Sequence, residues 1–247
     1  MKRILTLNSG FMKRLLILGI IGACFLVECI LNLSYNTQIA TICYGIFLTI
    51  LVFSQLIKKN FFSKILKRIL YYCAMLIPYL MISKQNKHNN TLGIFLGLLI
   101  GIFFMLANFE QFESAILRKS LKSKIPIKLK EKIFNIVECL ITPTLEEIFF
   151  RGVLLSLLFQ DFGYLSIVIS SSLFVLAHYM NKFSQFLQSG KTYLYQFTLA
   201  IMVGWVYVYT NSILGCIIAH FILNMWKLIE LIRRPMETNR MELFNDY

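Results

Sequence analysis

Two adjacent carboxylates and a guanidinium stand inside one apolar run, Thr142-Pro143-Thr144-Leu145-Glu146-Glu147-Ile148-Phe149-Phe150-Arg151. On a helix, Glu147 and Arg151 are separated by four residues, share a face and can form an ion pair. Glu146 points about 100° away from Glu147 around the same helix. Arg151 therefore neutralises Glu147 more easily, which leaves Glu146 to face an internal cavity. Pro143, three residues before Glu146, is expected to kink or loosen this turn. Two further runs carry paired groups four residues apart: Phe174-Val175-Leu176-Ala177-His178 and His220-Phe221-Ile222-Leu223-Asn224. Taken singly, these residues have ordinary structural explanations. A buried His can bond a neighbouring carbonyl, Asn224 can join two helices, and Glu147 with Arg151 can be a structural pair. Together, a carboxylate, two imidazoles and an amide on three helices supply the base, the orienting group and the oxyanion donors of water-activated acyl transfer.

A zinc site competes for the same residues, since a Glu and two His can hold the metal with a position left for water. The sequence has no HExxH, and Asn224 is a poor zinc ligand. The expectation is a site with no metal and no cofactor. The six cysteines, Cys24, Cys29, Cys43, Cys73, Cys139 and Cys216, fall in apolar runs and form no CxxC. They read as small packing residues.

The elements that must carry these groups are membrane helices. Of 247 residues, 57% are hydrophobic and only 15% charged, with a mean hydropathy of +0.68. That excludes an ordinary soluble globule and a disordered chain. Apolar segments lie at about 15–33, 38–57, 69–83, 91–109, 133–158, 162–180, 193–209 and 211–232. Most have the length a helix needs to cross a bilayer. The expected fold is all-α: a polytopic membrane protein of about eight transmembrane helices. It forms one integral membrane domain over 1–247, with the motif-bearing core at 133–232. The first segment follows Lys2, Arg3, Lys13 and Arg14 but is long and has no clear small-x-small cleavage site, so it is expected to be a retained helix.

The net charge is +13, and its placement fixes the expected orientation. With the N-terminus in the cytoplasm, 22 Lys and Arg fall on the cytoplasmic side and 2, Lys84 and Lys87, fall outside. This positive-inside bias puts both termini in the cytoplasm. No nucleic-acid motif accompanies the charge, and nucleic acid is not expected as a partner. The basic stretch from Arg118 to Lys132 mixes Lys with Leu and Ile. It reads either as a solvated loop or as a segment lying on anionic lipid. In the hydrocarbon, the ionisable side chains are costly and informative. Besides the residues above they include Glu28 and Glu138, both read as structural or cavity-lining.

At Glu146-Glu147-x-x-x-Arg151, Phe174-x-x-x-His178 and His220-x-x-x-Asn224, the sequence resembles the CAAX protease and bacteriocin-processing family, which includes glutamate-dependent intramembrane proteases. The motifs occur in order over about 142–224. The resemblance implies that Glu146 activates water together with His178. It implies that His220 and Asn224 form the oxyanion site, and that Glu147, Arg151 and Phe174 support them, with Glu147 able to assist directly. The implied activity is an intramembrane endopeptidase acting on a peptide or membrane-associated protein in a bacterial plasma membrane. Its role would be peptide-signal processing or bacteriocin self-immunity. A non-catalytic membrane immunity or peptide-binding protein is the alternative. A transporter would show repeated halves or paired broken helices, and none is found. The site is expected between the midplane and the cytoplasmic boundary, in a cavity open to the cytoplasm with the 118–132 stretch near its rim.

Overall fold

The computed structural model describes residues 9–30, 34–54, 61–82, 90–110, 113, 126–181 and 190–236. Helices make up nearly all of this: α1 (Ser9–Ile30), α2 (Tyr35–Phe53), α3 (Phe61–Ile82), α4 (Asn90–Ala107), α5, α6 (Leu165–Met180), α7 (Gly190–Thr210) and α8 (Ile213–Arg233). Helix α5 is continuous in three parts: α-helical Leu129–Glu147, π-helical Ile148–Leu155 and α-helical Ser156–Phe162. Among the described residues there is no strand, only a single bridge between Ile127 and Met236. A helix satisfies its own backbone in lipid, and large side chains such as Leu80, Met81 and Phe103 stay exposed on the helix exteriors, as a membrane protein requires. Helices α2, α3, α4 and α8 are long and apolar enough to cross a membrane.

Helix boundaries depart from the apolar segments where polar residues find partners. Helix α3 begins at Phe61, inside the basic stretch. There Lys64 donates to Asn135 Oδ1 at 2.8 Å and lies 4.6 Å from the Phe134 ring centre. Long basic side chains keep their heads polar while their stems cover apolar surface. Helix α5 runs on to Phe162 because Asp161 is taken by α2: Ser34 and Thr37 both donate to its carboxylate, Thr37 Oγ1 at 2.6 Å. Gly163, at φ +52°, then turns the chain into α6.

The loosening expected at Pro143 appears later in the helix. The α-helix continues through Pro143, and the geometry changes at Ile148–Leu155. A π segment shifts each backbone bond by one residue and is usually short and costly. Here side chains serve its carbonyls: Ser170 Oγ donates to Phe150 O at 2.9 Å and Ser156 Oγ to Arg151 O at 3.1 Å. Around it packs an aromatic core, with Phe47 centred 5.0 Å from Phe149 and Phe150 5.1 Å from Phe174. Edge-to-face and tilted pairs of this kind favour a fixed arrangement of α2, α5 and α6.

Helix α8, which carries His220 and Asn224, is held by α4 through glycines. A Cβ on Gly97 would sit 2.1 Å from the Gly215 carbonyl oxygen, and one on Gly215 would sit 2.2 Å from the Gly93 oxygen. Only glycine allows two membrane helices to approach so closely. The start of α8 is capped by Ser212, whose hydroxyl accepts from Gly215 N at 3.3 Å. Its end is tied to the start of α5 by Ile127 N donating to Pro235 O at 3.1 Å and Lys132 Nζ to Arg234 O at 2.9 Å.

Candidate active site

Glu147 and Arg151 form the ion pair that their spacing implies, with Arg151 Nε 3.1 Å from Glu147 Oε2. Both are buried. Arg151 also donates from Nη2 to the Ala200 carbonyl at 3.2 Å and stacks 5.1 Å from the Phe174 ring centre. Glu147 does more than balance Arg151. Its Oε1 lies 2.8 Å from His220 Nδ1, so the carboxylate bridges the guanidinium and the imidazole. With Glu147 ionised beside Arg151, Nδ1 is the protonated nitrogen and donates. His220 Nε2 is thereby aimed away from Glu147.

Glu146 is left to the cavity. Its Oε2 stands 4.0 Å from His178 Nε2 and 3.9 Å from His220 Nε2. These separations are too long for direct hydrogen bonds and short enough for one small molecule to touch all three groups. The other oxygen, Oε1, accepts from the Tyr71 hydroxyl at 3.0 Å. His178 is oriented from its own helix, with Nδ1 3.0 Å from the Phe174 carbonyl one turn back. As a carbonyl only accepts, Nδ1 carries the proton and neutral His178 offers Nε2 as an acceptor. Phe174 lies beneath both imidazoles, its ring centre 4.3 Å from that of His178 and 6.1 Å from that of His220.

Glu146, Phe174, His178, His220 and Asn224 all line one cavity of about 370 Å³. Arg68, Glu138, Asn181 and Lys227 line it as well, and Arg68 and Glu138 form an ion pair there. Every motif residue named from the sequence is therefore in or directly behind this cavity. Glu28 is elsewhere and accepts from Thr41 Oγ1 at 3.0 Å. His88 and residues 118–125, including most of the basic stretch, lie outside the described residues. Among the described residues, no group of three His, Cys, Asp or Glu is disposed to hold a metal ion.

Two features of the site were missed in the sequence. Tyr71 belongs to α3, outside all three motifs, and the double role of Glu147 depends on a partner 73 positions away. No spacing rule reaches either contact, since each joins helices far apart in the sequence.

No curated protein and no solved structure matches this chain. The first four helices have no counterpart in any of the comparisons. The part that carries the three motifs does: residues 129–226, from the start of α5 to most of α8, match the model of the family described as Type II CAAX prenyl endopeptidase Rce1-like, the CAAX protease family that the motifs resemble.

Proposed function

We propose that the protein is a glutamate-type intramembrane endopeptidase that hydrolyses a peptide bond with water activated at Glu146. The observation that carries the reading is the convergence of Glu146 Oε2, His178 Nε2 and His220 Nε2 within 4.0 Å in one cavity. A water seated there gives one hydrogen to Glu146 Oε2 and the other to His178 Nε2. The water proton passes to Glu146 as its oxygen attacks the substrate carbonyl. The proton then returns from Oε2 to the leaving nitrogen.

The developing oxyanion faces His220 and Asn224. Because Nδ1–H of His220 is committed to Glu147, Nε2 donates only in the imidazolium form. In that form the buried set Glu146, Glu147, Arg151 and His220 sums to zero charge, the balance that a low-dielectric interior demands. The amide of Asn224 supplies a second donor. We read the reaction as metal-free, because Asn224 is a poor zinc ligand and the sequence has no HExxH.

The charged lining residues Arg68, Glu138 and Lys227 mark the end of the cavity from which water and substrate enter. By the distribution of Lys and Arg along the sequence, that end is cytoplasmic. The substrate is a peptide or a membrane-associated protein, and peptide-signal processing or bacteriocin self-immunity is the role that the resemblance suggests. The test compares membrane peptides from cells carrying the wild type with those from cells carrying Glu146→Gln. Peptides whose ends appear only with the wild type support the reading. Identical peptide sets from equally abundant proteins would leave a binding or immunity protein in its place.

A further inference from the structure

We infer that Tyr71 is a positioning residue of the active site: its hydroxyl occupies Glu146 Oε1 and so makes Oε2 the oxygen that handles the proton. The inference rests on the hydrolase reading and adds to it a residue from the part of the chain that lies outside the matched stretch 129–226.

The Tyr71 ring has little freedom to leave. It is buried in α3, centred 5.4 Å from Phe47 and 6.0 Å from Tyr72, with the Arg68 guanidinium 5.9 Å from its centre. Phe47 is itself fully buried. A tyrosine has two side-chain torsions, so packing of this kind fixes the hydroxyl in space. The neighbouring Tyr72 is pinned separately, 3.1 Å from Thr142 Oγ1. That contact anchors α3 to α5 one turn from Glu146, so the two tyrosines share a helix but serve different partners.

Among the described residues, the Tyr71 hydroxyl is the one direct hydrogen-bond donor to the Glu146 carboxylate. Arg151, the nearest candidate by sequence, is committed to Glu147 and Ala200. An ionised carboxylate only accepts, so the phenol donates to it. Without that bond the carboxylate could turn about its last torsion and present either oxygen to the histidines. With it, Oε1 is filled and Oε2 is held 3.9–4.0 Å from both Nε2 atoms.

The same bond directs the proton. When water is split, its proton goes to Oε2, because Oε1 already receives a hydrogen from Tyr71. Oε1 then becomes the carbonyl oxygen of the neutral acid and still accepts from the phenol. The acquired proton therefore stays on the oxygen that faces the substrate, ready for the leaving nitrogen. Tyr71 keeps its own proton throughout, and the count of protons on Glu146 returns to zero at the end of the cycle.

The experiment uses the full-length protein in proteoliposomes and an internally quenched, mixed-sequence octapeptide library as the probe. Wild type, Glu146→Gln, Tyr71→Phe, Tyr72→Phe and the double variant Tyr71→Phe with Glu146→Gln are compared, with thermal unfolding recorded for each. Tyr71→Phe preserves the ring and its packing. It is expected to lower kcat roughly 10- to 100-fold, as loss of a hydrogen bond to a charged group does, while KM stays within about twofold of the wild type because the substrate contacts are untouched. Tyr72→Phe should keep the wild-type kcat. In the Glu146→Gln background, the Tyr71 change should have no further effect, because two residues acting through one group are not additive. A merely structural Tyr71 would instead lower the unfolding temperature and leave kcat of the folded fraction unchanged. Wild-type kcat in Tyr71→Phe beside an idle Glu146→Gln would overturn the inference and leave the hydrolase reading standing. A wild type no faster than Glu146→Gln would overturn the hydrolase reading and the inference together.

Discussion

His220 Nδ1 lies 2.8 Å from Glu147 Oε1, and that contact ties two motifs 73 residues apart into one unit. Glu147 thereby fixes which imidazole nitrogen faces the cavity, and Arg151 holds Glu147 from behind. Removing Arg151 leaves the buried pair of carboxylates one positive charge short, at a cost of about 3–5 kcal/mol. Arg151→Ala is therefore expected to lose both folded protein and activity, whereas Glu146→Ala loses activity with little loss of folded protein. Detergent-solubilised yield, thermal unfolding and the Glu146-dependent peptide pattern measure the two effects separately. A fully expressed, active Arg151→Ala protein would contradict the pairing.

Glu147→Gln keeps the size of the side chain and a hydrogen-bond acceptor near His220, but removes the charge. The Nδ1–H of His220 then loses its carboxylate partner, and kcat should fall by about 10²-fold, the scale of losing one oxyanion donor. Steady-state kinetics would show the fall in kcat with a much smaller change in KM. An unchanged kcat would show that the charge on Glu147 is irrelevant to the reaction.

Gly97→Ala puts a methyl group where the Gly215 carbonyl oxygen stands only 2.1 Å away. The two backbones must separate, and a loss of about 3 kcal/mol is expected, at the upper end for overpacking. Gly22→Ala is the control, since nothing lies within 4 Å of a Cβ there. In the interior of α1 it should be neutral or stabilise by up to about 1 kcal/mol. Thermal unfolding of the two variants in the same detergent makes the comparison. Equal midpoints would show that α4 and α8 are not in backbone contact.

Chelator treatment tests the proposal that the reaction needs no metal. Purified protein dialysed against EDTA should keep its rate on the octapeptide library and contain no stoichiometric metal. One zinc per chain, lost together with activity and restored with it, would replace the carboxylate mechanism by a metal one.

Access to the cavity can be read with a thiol at its charged end. Lys227 is exposed and lines the cavity. Lys227→Cys, in a chain whose native cysteines are replaced by Ser or Ala, should react with a membrane-impermeant maleimide in inside-out vesicles and be spared in right-side-out ones. Labelling from the outer face alone would reverse the orientation drawn from the basic residues.

What could be read from the sequence was mainly what is local. Glu147 and Arg151 are one turn apart, so their pairing follows from helical geometry alone, and the exclusion of Glu146 from that pair follows with it. The long apolar runs located the helices to within a few residues, apart from their polar ends. Tyr71 reaches Glu146 across 75 positions, and one tyrosine among twelve gives no local sign of such a contact. The π segment Ile148–Leu155 was hidden for a related reason, because one of its displaced carbonyls is met by Ser170 on the next helix. Pro143, which does carry a local signal, lies five residues before the segment where the helix departs from α geometry.

Because α4 meets α8 main chain to main chain, the height and rotation of His220 and Asn224 are set by Cα atoms and carbonyls. Most protein cores tolerate drift, since one side chain can shrink while its neighbour grows. A joint without side chains has nothing to exchange, and at positions 97 and 215 a Cβ would run into the facing backbone, which leaves glycine as the residue that fits. Substitution should therefore run freely over the lipid-facing flanks of α4 while its glycine spacing holds. In distant homologues, a helix with small residues every fourth position, upstream of the paired glutamates, would be the mark of this architecture even after its other residues have changed.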